Sequence, residues 1–531
     1  MKKLILSCTI IAFSSLFIVA SCKKKEVLDE QTMSLKSEIK PVNPAEISFD
    51  STLVDSFFMQ HPKLKGYQSD VKKLYQKRSY HYIWYDEKGI NEIGNLLYDK
   101  ITNLELEGIK TTVPYQEKLE ALFQLSNEEQ QPKVADELLI SSLYFFYAEK
   151  VLKGIDAKKI KEIGWYLPQK KQSYVNYLDS IISKPALINR NEKEVLGQYY
   201  RLREVLQKYR AIEQKGGWGT IVLDEGVKSL NPGDSSQSIG QIRKRLFITG
   251  DLSSDSKSNR YDDALKTGIL AYKKRNGFAE NSSISPKHIE NLNIPVASRI
   301  KTLMVNMERC RWISTTVSNA KAFIVINIPA YQLTFFKDGK PALLSRVVVG
   351  KTLNKTVIFG ADMRYIVFSP YWNVPRSIIK KELEPGIAKD PNYLSKHNME
   401  WNGGNIRQKP GPKNSLGLVK FLFPNSNAIY LHDTPSKGLF NEEKRAFSHG
   451  CIRVAKPKEL ANLILKDDKN WTSQKTEAAM NKGVESWYTL KNKIPVYIGY
   501  FTAWVDPQGN AQFYEDIYNR DERLAEILLK E

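Results

Sequence analysis

A chain of 531 residues with 42% hydrophobic and 11% aromatic content can build about two to four domains, each with its own core, which excludes a disordered polymer. Its 79 Lys and Arg against 59 Asp and Glu give a net charge of +20, which favours anionic surroundings such as a membrane surface or a cell-wall polymer. Beyond residue 20 no run reaches the roughly 18 uninterrupted apolar residues that a membrane span needs, so the sequence predicts a body that does not cross a bilayer.

The chain opens "MKKLILSCTIIAFSSLFIVASC": two lysines, then an apolar stretch from Leu4 to Ala20, which has the pattern of a secretory signal. It ends in Val19-Ala20-Ser21-Cys22 and resembles the bacterial lipoprotein signal, in which the cysteine is lipidated and becomes the first residue. Residues 1–22 are therefore expected to be a lipoprotein signal peptide, and 23–45, charged and without hydrophobic period, a tether. Export into the periplasm or cell wall, with the protein held to a bacterial membrane by lipid on Cys22, is the expected localisation. It removes the opportunity to meet nucleic acid. Of four cysteines, Cys8 leaves with the signal and Cys22 is taken by lipid, so Cys310 and Cys451 either pair or one is kept for chemistry.

From 46 to 229 apolar residues recur at three- and four-residue spacing, as in "DVKKLYQKRSY" and "VLGQYYRLREVLQKYRAI", and predict an all-helical scaffold with aromatic core. Gly154 and Gly216-Gly217 stand where helix C-terminal caps belong. Residues 230–296 suggest three short helices and resemble a small peptidoglycan-binding module, with Tyr272-Lys273 where such modules usually carry Phe-Gln. A helix through "NMERCRWI" then opens a mostly β region over 297–531. In it "AFIVINIPAYQLTFFKDGKPALLSRVVVG" alternates with period two around a Lys-Asp-Gly turn. A strand is expected over Ala428–Leu431. The Pro-, Gly- and Asn-rich interval of about 376–415 is expected as an inserted loop over one face, a candidate lid.

The strand ending at His432-Asp433 and the run "AFSHGCIRV" lie nineteen positions apart, from His432 to Cys451, close enough for the loop to return the thiol beside the histidine. "HDTP" followed by "RAFSHGCIRV" is similar to the L,D-transpeptidase family with its YkuD-type β domain, whose signature is an upstream His and a Ser/Thr-His-Gly-Cys-x-Arg run. The layout resembles the large multi-domain branch of that family. The expected fold is thus multi-domain α+β: helical N-terminal scaffold, small helical module, and mostly β catalytic domain with an inserted lid.

The resemblance implies that Cys451 is the nucleophile and His432 its base, since a thiol with a pKa near about 8.5 needs its proton removed at neutral pH. Asp433, by side chain or carbonyl, occupies the place of the group that orients the imidazole. Gly450 and the neighbouring amides, with Ser448, would build an oxyanion site, which His449 either supports or stands beside as a satisfied histidine. Arg453 either holds a substrate carboxylate or fixes the loop, and Tyr371, Trp372 and Trp401 either line a substrate channel or pack as core. Cys310 reads as core. The implied activity is transfer on peptidoglycan stem peptides. D-alanine leaves, a cysteine acyl-enzyme forms, and a second stem's amine gives a 3→3 cross-link without metal or cofactor. An L,D-carboxypeptidase, a transferase to another amine and an idle cell-wall-binding lipoprotein remain open as rivals. Protein partners are not legible.

Overall fold

The computed structural model describes residues 48–86, 88–126, 131–169 and 172–529. The signal, Cys22 and the tether lie outside the described residues. No helix among the described residues is long and apolar enough to cross a membrane.

The chain divides into two compact units. One gathers residues up to Asp99 with Pro114–Phe145 and Ser173–Arg190; the other holds Lys100–Val113, Phe146–Gln172 and Asn191–Glu531. The first is helical and centres on Glu137, fully buried, which accepts from the Tyr75 hydroxyl at 2.5 Å and the Ile83 amide at 2.6 Å. Burial pushes this carboxyl up to about 7. Tyr75, Trp84 and Tyr144 are core, as the period predicts.

The scaffold expected as one all-helical body over 46–229 is instead shared between the units, and it contributes a strand. Trp165–Tyr166 pairs in parallel with Ile358–Phe368 at the edge of the large sheet. The 18-residue helix Gly197–Gln214 packs on Val296–Trp312, inside the second unit. Their contact surrounds a buried polar network. Tyr199 donates to Glu107 at 2.5 Å and Arg311 to the Glu107 carbonyl at 2.7 Å. Glu308 receives Arg311 at 2.6 Å, the Trp312 indole at 2.8 Å and the Ile155 amide at 2.6 Å. Gly154 caps the preceding π-helical turn Ala148–Lys153 at φ 72°, and a Cβ there would meet a Glu308 oxygen at 2.2 Å. Glu308→Ala leaves Arg311 buried without its carboxylate, and a loss of about 3–5 kcal/mol is expected in urea unfolding.

Residues 230–296 fold as the three expected helices, Gln237–Ile248, Asp263–Arg275 and Pro286–Leu292, around a separate core that includes Ile239, Leu246, Leu265 and Tyr272. The β region supplies nine strands of a ten-stranded sheet, whose tenth is Trp165–Tyr166. Ala322–Asn327, Gln332–Lys337 and Lys340–Gly350 run antiparallel, the last two joined at Asp338-Gly339 with φ of 51° and 74°, the left-handed pair a tight hairpin needs. The sheet closes on itself because Val419–Leu422 pairs with both Leu431–His432 and Ile358–Phe368. Cys310 is fully buried and free, as is the thiol of half-buried Cys451, so no disulfide joins them.

Two expectations change here. The strand expected over Ala428–Leu431 is only Leu431–His432, because Asn425 ties the Phe423 and Ile429 carbonyls into a turn and Ala428 takes φ 52°. The interval 376–415 is not an open loop. After the Trp372–Asn373 strand it forms short helices and a hairpin, Met399–Asn402 with Asn405–Gln408, over a core of Val374, Ile378, Ile379, Leu383, Met399 and Ile406. Gly403-Gly404 make its turn at φ 56° and 77°.

Candidate active site

Leu431–His432 and Ile452–Val454 are neighbouring parallel strands with Leu431 opposite Ile452 and His432 opposite Arg453. The Ile452 amide donates to the Tyr430 carbonyl at 3.1 Å, which sets Cys451 beside Tyr430. Alternate residues of a strand share a face, so Tyr430, His432, Cys451 and Arg453 emerge together. The Tyr430 and His432 rings lie 5.7 Å apart between centroids.

His432 is buried, and its Nδ1 lies 2.5 Å from the carbonyl oxygen of Asp433. A carbonyl only accepts, so this contact places the proton on Nδ1 and leaves the Nε2 lone pair free. Burial, reinforced by the Arg453 charge, pushes the imidazole down to about 3 despite the carbonyl's opposing pull. It is neutral at physiological pH. The Asp433 carboxylate is engaged elsewhere, by the Leu418 amide at 2.9 Å and by Lys437. The carbonyl is thus the atom that orients the ring.

Burial pushes the Cys451 thiol above its ordinary value, while hydrogen bonds from the Tyr430 amide and hydroxyl, and the Arg453 charge, act the other way. Sγ contacts the Ala428 carbonyl at 3.6 Å, and no hydrogen bond among the described residues joins it to His432. The pair is thus a thiol that burial raises and an imidazole that burial lowers, set on one face of two parallel strands. A raised thiol has a smaller thiolate fraction at neutral pH. The iodoacetamide alkylation rate of the free protein is therefore expected to climb through pH 8–9 without a plateau at pH 5–7.

The loop before Cys451 is clamped. Ser448, buried, donates to the Cys451 carbonyl at 2.5 Å and accepts from the Gly450 amide at 3.1 Å. Gly450 sits at φ 118°, a conformation side chains rarely adopt, and its carbonyl accepts from Thr356 at 2.9 Å. The Gly450 amide, expected as part of an oxyanion site, is instead taken by Ser448. His449 points outward, its Nε2 2.9 Å from Glu382 Oε1 in the inserted subdomain, and does not contact Cys451. Arg453 is half-buried with Nε unpartnered. Trp372 packs on the insertion's core and its indole hydrogen-bonds Tyr430. Tyr371 lies under Arg407, at 4.1 Å from ring centroid to guanidinium, and Trp401 is 61% exposed on the hairpin.

Sequence reading missed Tyr430, Thr356 and Tyr518. The Tyr518 hydroxyl donates to the Gly350 carbonyl at 2.6 Å and accepts from the Thr356 amide at 3.1 Å, fixing the strand end under the loop. Tyr430, two before His432, was findable from strand period; Thr356 and Tyr518 carry no sequence signal.

Residues 321–480 match the L,D-transpeptidase catalytic domain family (YkuD), and 69–206 match the Scaffold domain family. A protein of Haemophilus influenzae named "Putative L,D-transpeptidase" is 37% identical over 227 residues, 38% of this chain and 46% of the relative, so the match spans about half of that protein. Among solved structures, an L,D-transpeptidase from Mycobacterium smegmatis aligns at 15% identity over 34% of this chain and 59% of its own, with a TM-score of 0.20. One from Stackebrandtia nassauensis aligns at 13% over 53% and 96%, also at 0.20. Residues 321–480 of this chain thus form a domain of the L,D-transpeptidase catalytic family.

Proposed function

We propose that the protein is an L,D-transpeptidase that forms 3→3 cross-links between peptidoglycan stem peptides. The observation that carries the reading is the one-face cluster of Tyr430, His432, Cys451 and Arg453 across two parallel strands, with the imidazole's Nδ1 held by a carbonyl. His432 Nε2 takes the Cys451 proton as sulfur attacks the carbonyl of the stem's third residue, a diamino acid reacting at its L-centre. The oxyanion meets the Cys451 amide. His432 returns the proton to the departing D-alanine nitrogen, leaving a thioester. The side-chain amine of a second stem, deprotonated by His432, then displaces sulfur and restores the thiol. Arg453, charged and without a carboxylate partner among the described residues, suits the D-alanine carboxylate.

Incubating the protein with tetrapeptide stems and weighing the products tests this. A 3→3 dimer with released D-alanine supports the reading. Tripeptide alone indicates an L,D-carboxypeptidase, a conjugate to another amine a different transferase, and no turnover a binding protein.

The inserted subdomain is proposed as the wall that shields the thioester from water, with Glu382 meeting His449 beside the nucleophile's loop. Both side chains of this contact are exposed, 40% and 52%, so it contributes at most about 1 kcal/mol, a factor of about five. Glu382→Gln should raise the tripeptide-to-dimer ratio by up to that factor; an unchanged ratio separates the insertion from acceptor choice. The amino-terminal signal supports export and anchoring through lipid on Cys22, and Cys22→Ser should release the protein from the membrane fraction.

A further inference from the structure

Between the three-helix module and the β domain, within one compact unit, lies a cavity of about 510 Å³. Asn276 and Phe278 enter it from the end of the Asp263–Arg275 helix, Tyr331 from the turn before Gln332–Lys337, and Tyr514 from the C-terminal hairpin. Arg445 enters from the loop that leads into Ala446–Ser448. This volume is within the usual range for a small-molecule or oligomer subsite, roughly 300–1,000 Å³.

Polar groups on its wall are left without partners. Asn276 is 8% exposed; its Nδ2 donates to the Tyr272 carbonyl at 2.8 Å, which turns Oδ1 the other way, and Oδ1 has no hydrogen bond. The Tyr331 hydroxyl, on a residue 6% exposed, is approached by the Arg445 amide without completing a hydrogen bond. Arg445 Nε, its guanidinium 5.0 Å from the Tyr331 ring centroid, is also unpartnered. Buried polar atoms without partners are costly, and a cavity presenting an acceptor, a hydroxyl and an N–H together is arranged to receive the complementary set.

The charges around the cavity nearly balance, with four cationic side chains against five carboxylates. Lys287 pairs with Glu443 at 2.5 Å and Lys444 with Glu515 at 2.5 Å, so no single-sign field selects an ion. The half-buried rings of Phe278 and Tyr514 add apolar faces. An acetamido sugar fits this chemistry: its N–H can donate to Asn276, its amide oxygen and hydroxyls can meet Arg445 and Tyr331, and its ring face can lie on an aromatic side chain. The site is also tied to the candidate nucleophile. Glu443 accepts from the Ala279 amide at 3.1 Å, joining the module to the loop, and Arg445 precedes the strand that leads to Cys451 by way of Gly450.

We propose that this cavity is a glycan subsite, which holds N-acetylated amino sugars of the strand bearing a stem peptide beside the loop that carries Cys451. The inference rests on the transpeptidase reading for its purpose, though not for its binding test. Cys451→Ala protein, titrated calorimetrically with chitotetraose, a linear N-acetylglucosamine tetramer, is expected to bind it. Asn276→Ala and Tyr331→Phe, each made in that background, should weaken binding several-fold, the scale of one or two lost neutral hydrogen bonds. Tyr331→Phe removes only the hydroxyl and keeps the test intact if Asn276→Ala unfolds. Absence of binding, affinity unaltered in Tyr331→Phe, or displacement of the sugar by a sugar-free tetrapeptide would each overturn the subsite. With active protein, KM for a disaccharide-tetrapeptide should lie several-fold below that for the bare tetrapeptide, and the ratio should fall toward one in Tyr331→Phe. Equal KM values for the two substrates overturn the subsite while leaving the transpeptidase intact. No D-alanine release from either substrate defeats the transpeptidase reading, and chitotetraose binding then still decides the subsite.

Discussion

Cys451→Ala is expected to lower both D-alanine release and dimer formation by at least about 10³-fold, to the background of the uncatalysed reaction, with the fold retained. The sulfur is the attacking atom of the proposed reaction, and nothing else on the shared face replaces it. Tyr430 is a phenol that burial pushes far above its ordinary value, and Arg453 is a cation. The substitution removes one atom from a half-buried side chain that meets the Tyr430 amide and hydroxyl and approaches the Ala428 carbonyl at 3.6 Å, so unfolding midpoints should move little. The parent protein should gain the mass of one carbapenem on incubation, and the variant none. Dimer formation by the variant at more than a few per cent of the parent rate would remove Cys451 from the mechanism.

Replacing His432 by Ala should slow acylation by about 10²–10⁴-fold, the usual contribution of a positioned general base, while His449→Ala, which acts on an exposed contact with Glu382, should cost far less. The pH dependence carries its own signature. The imidazole must be unprotonated to act, and it is held down to about 3, so the acid limb of kcat/KM should fall well below pH 6. The same depression has a stability consequence. In the unfolded chain this histidine takes up a proton near its ordinary value of about 6.5, whereas in the fold it resists until about 3. The stability it contributes is fully present above pH 6.5 and is lost as the pH falls toward 3, by about 2 kcal/mol at pH 5. His432→Asn lacks this titration, so its urea midpoint should change less than the parent's between pH 7.5 and pH 5. Parallel loss in both proteins would show that the imidazole is not held neutral.

The sequence by itself determined what depends on neighbours along the chain. Period-two alternation from Ala322 to Gly350, with Asp-Gly at the turn, fixed a hairpin whose partners are adjacent in sequence. The three turn-bounded helices of 230–296 close their core with their own apolar faces. Ser448, His449, Gly450, Cys451 and Arg453 could be read as a unit because their likeness to the family signature lies within one short run of the chain. The amphipathic helices were equally legible as helices.

Only the tertiary structure decided which partner each apolar face meets, because a hydrophobic stripe specifies that it will be buried and not against what. Gly197–Gln214 therefore joined the unit of Val296–Trp312 in place of a common scaffold, and Trp165–Tyr166, too short to show a period, found the edge of the large sheet. The insertion's Gly and Pro suggested a loose loop, yet its scattered Ile, Leu and Met residues converge on one core once Gly403-Gly404 fold the hairpin back. At the site the fold seats the His432 ring on the Asp433 carbonyl, turns His449 toward Glu382 and closes the Gly450 amide with Ser448. Asp433 and Ser448 are chain neighbours of the groups they hold, but the Leu418 amide that takes the Asp433 carboxylate and the Glu382 that meets His449 come within reach only after distant segments have packed.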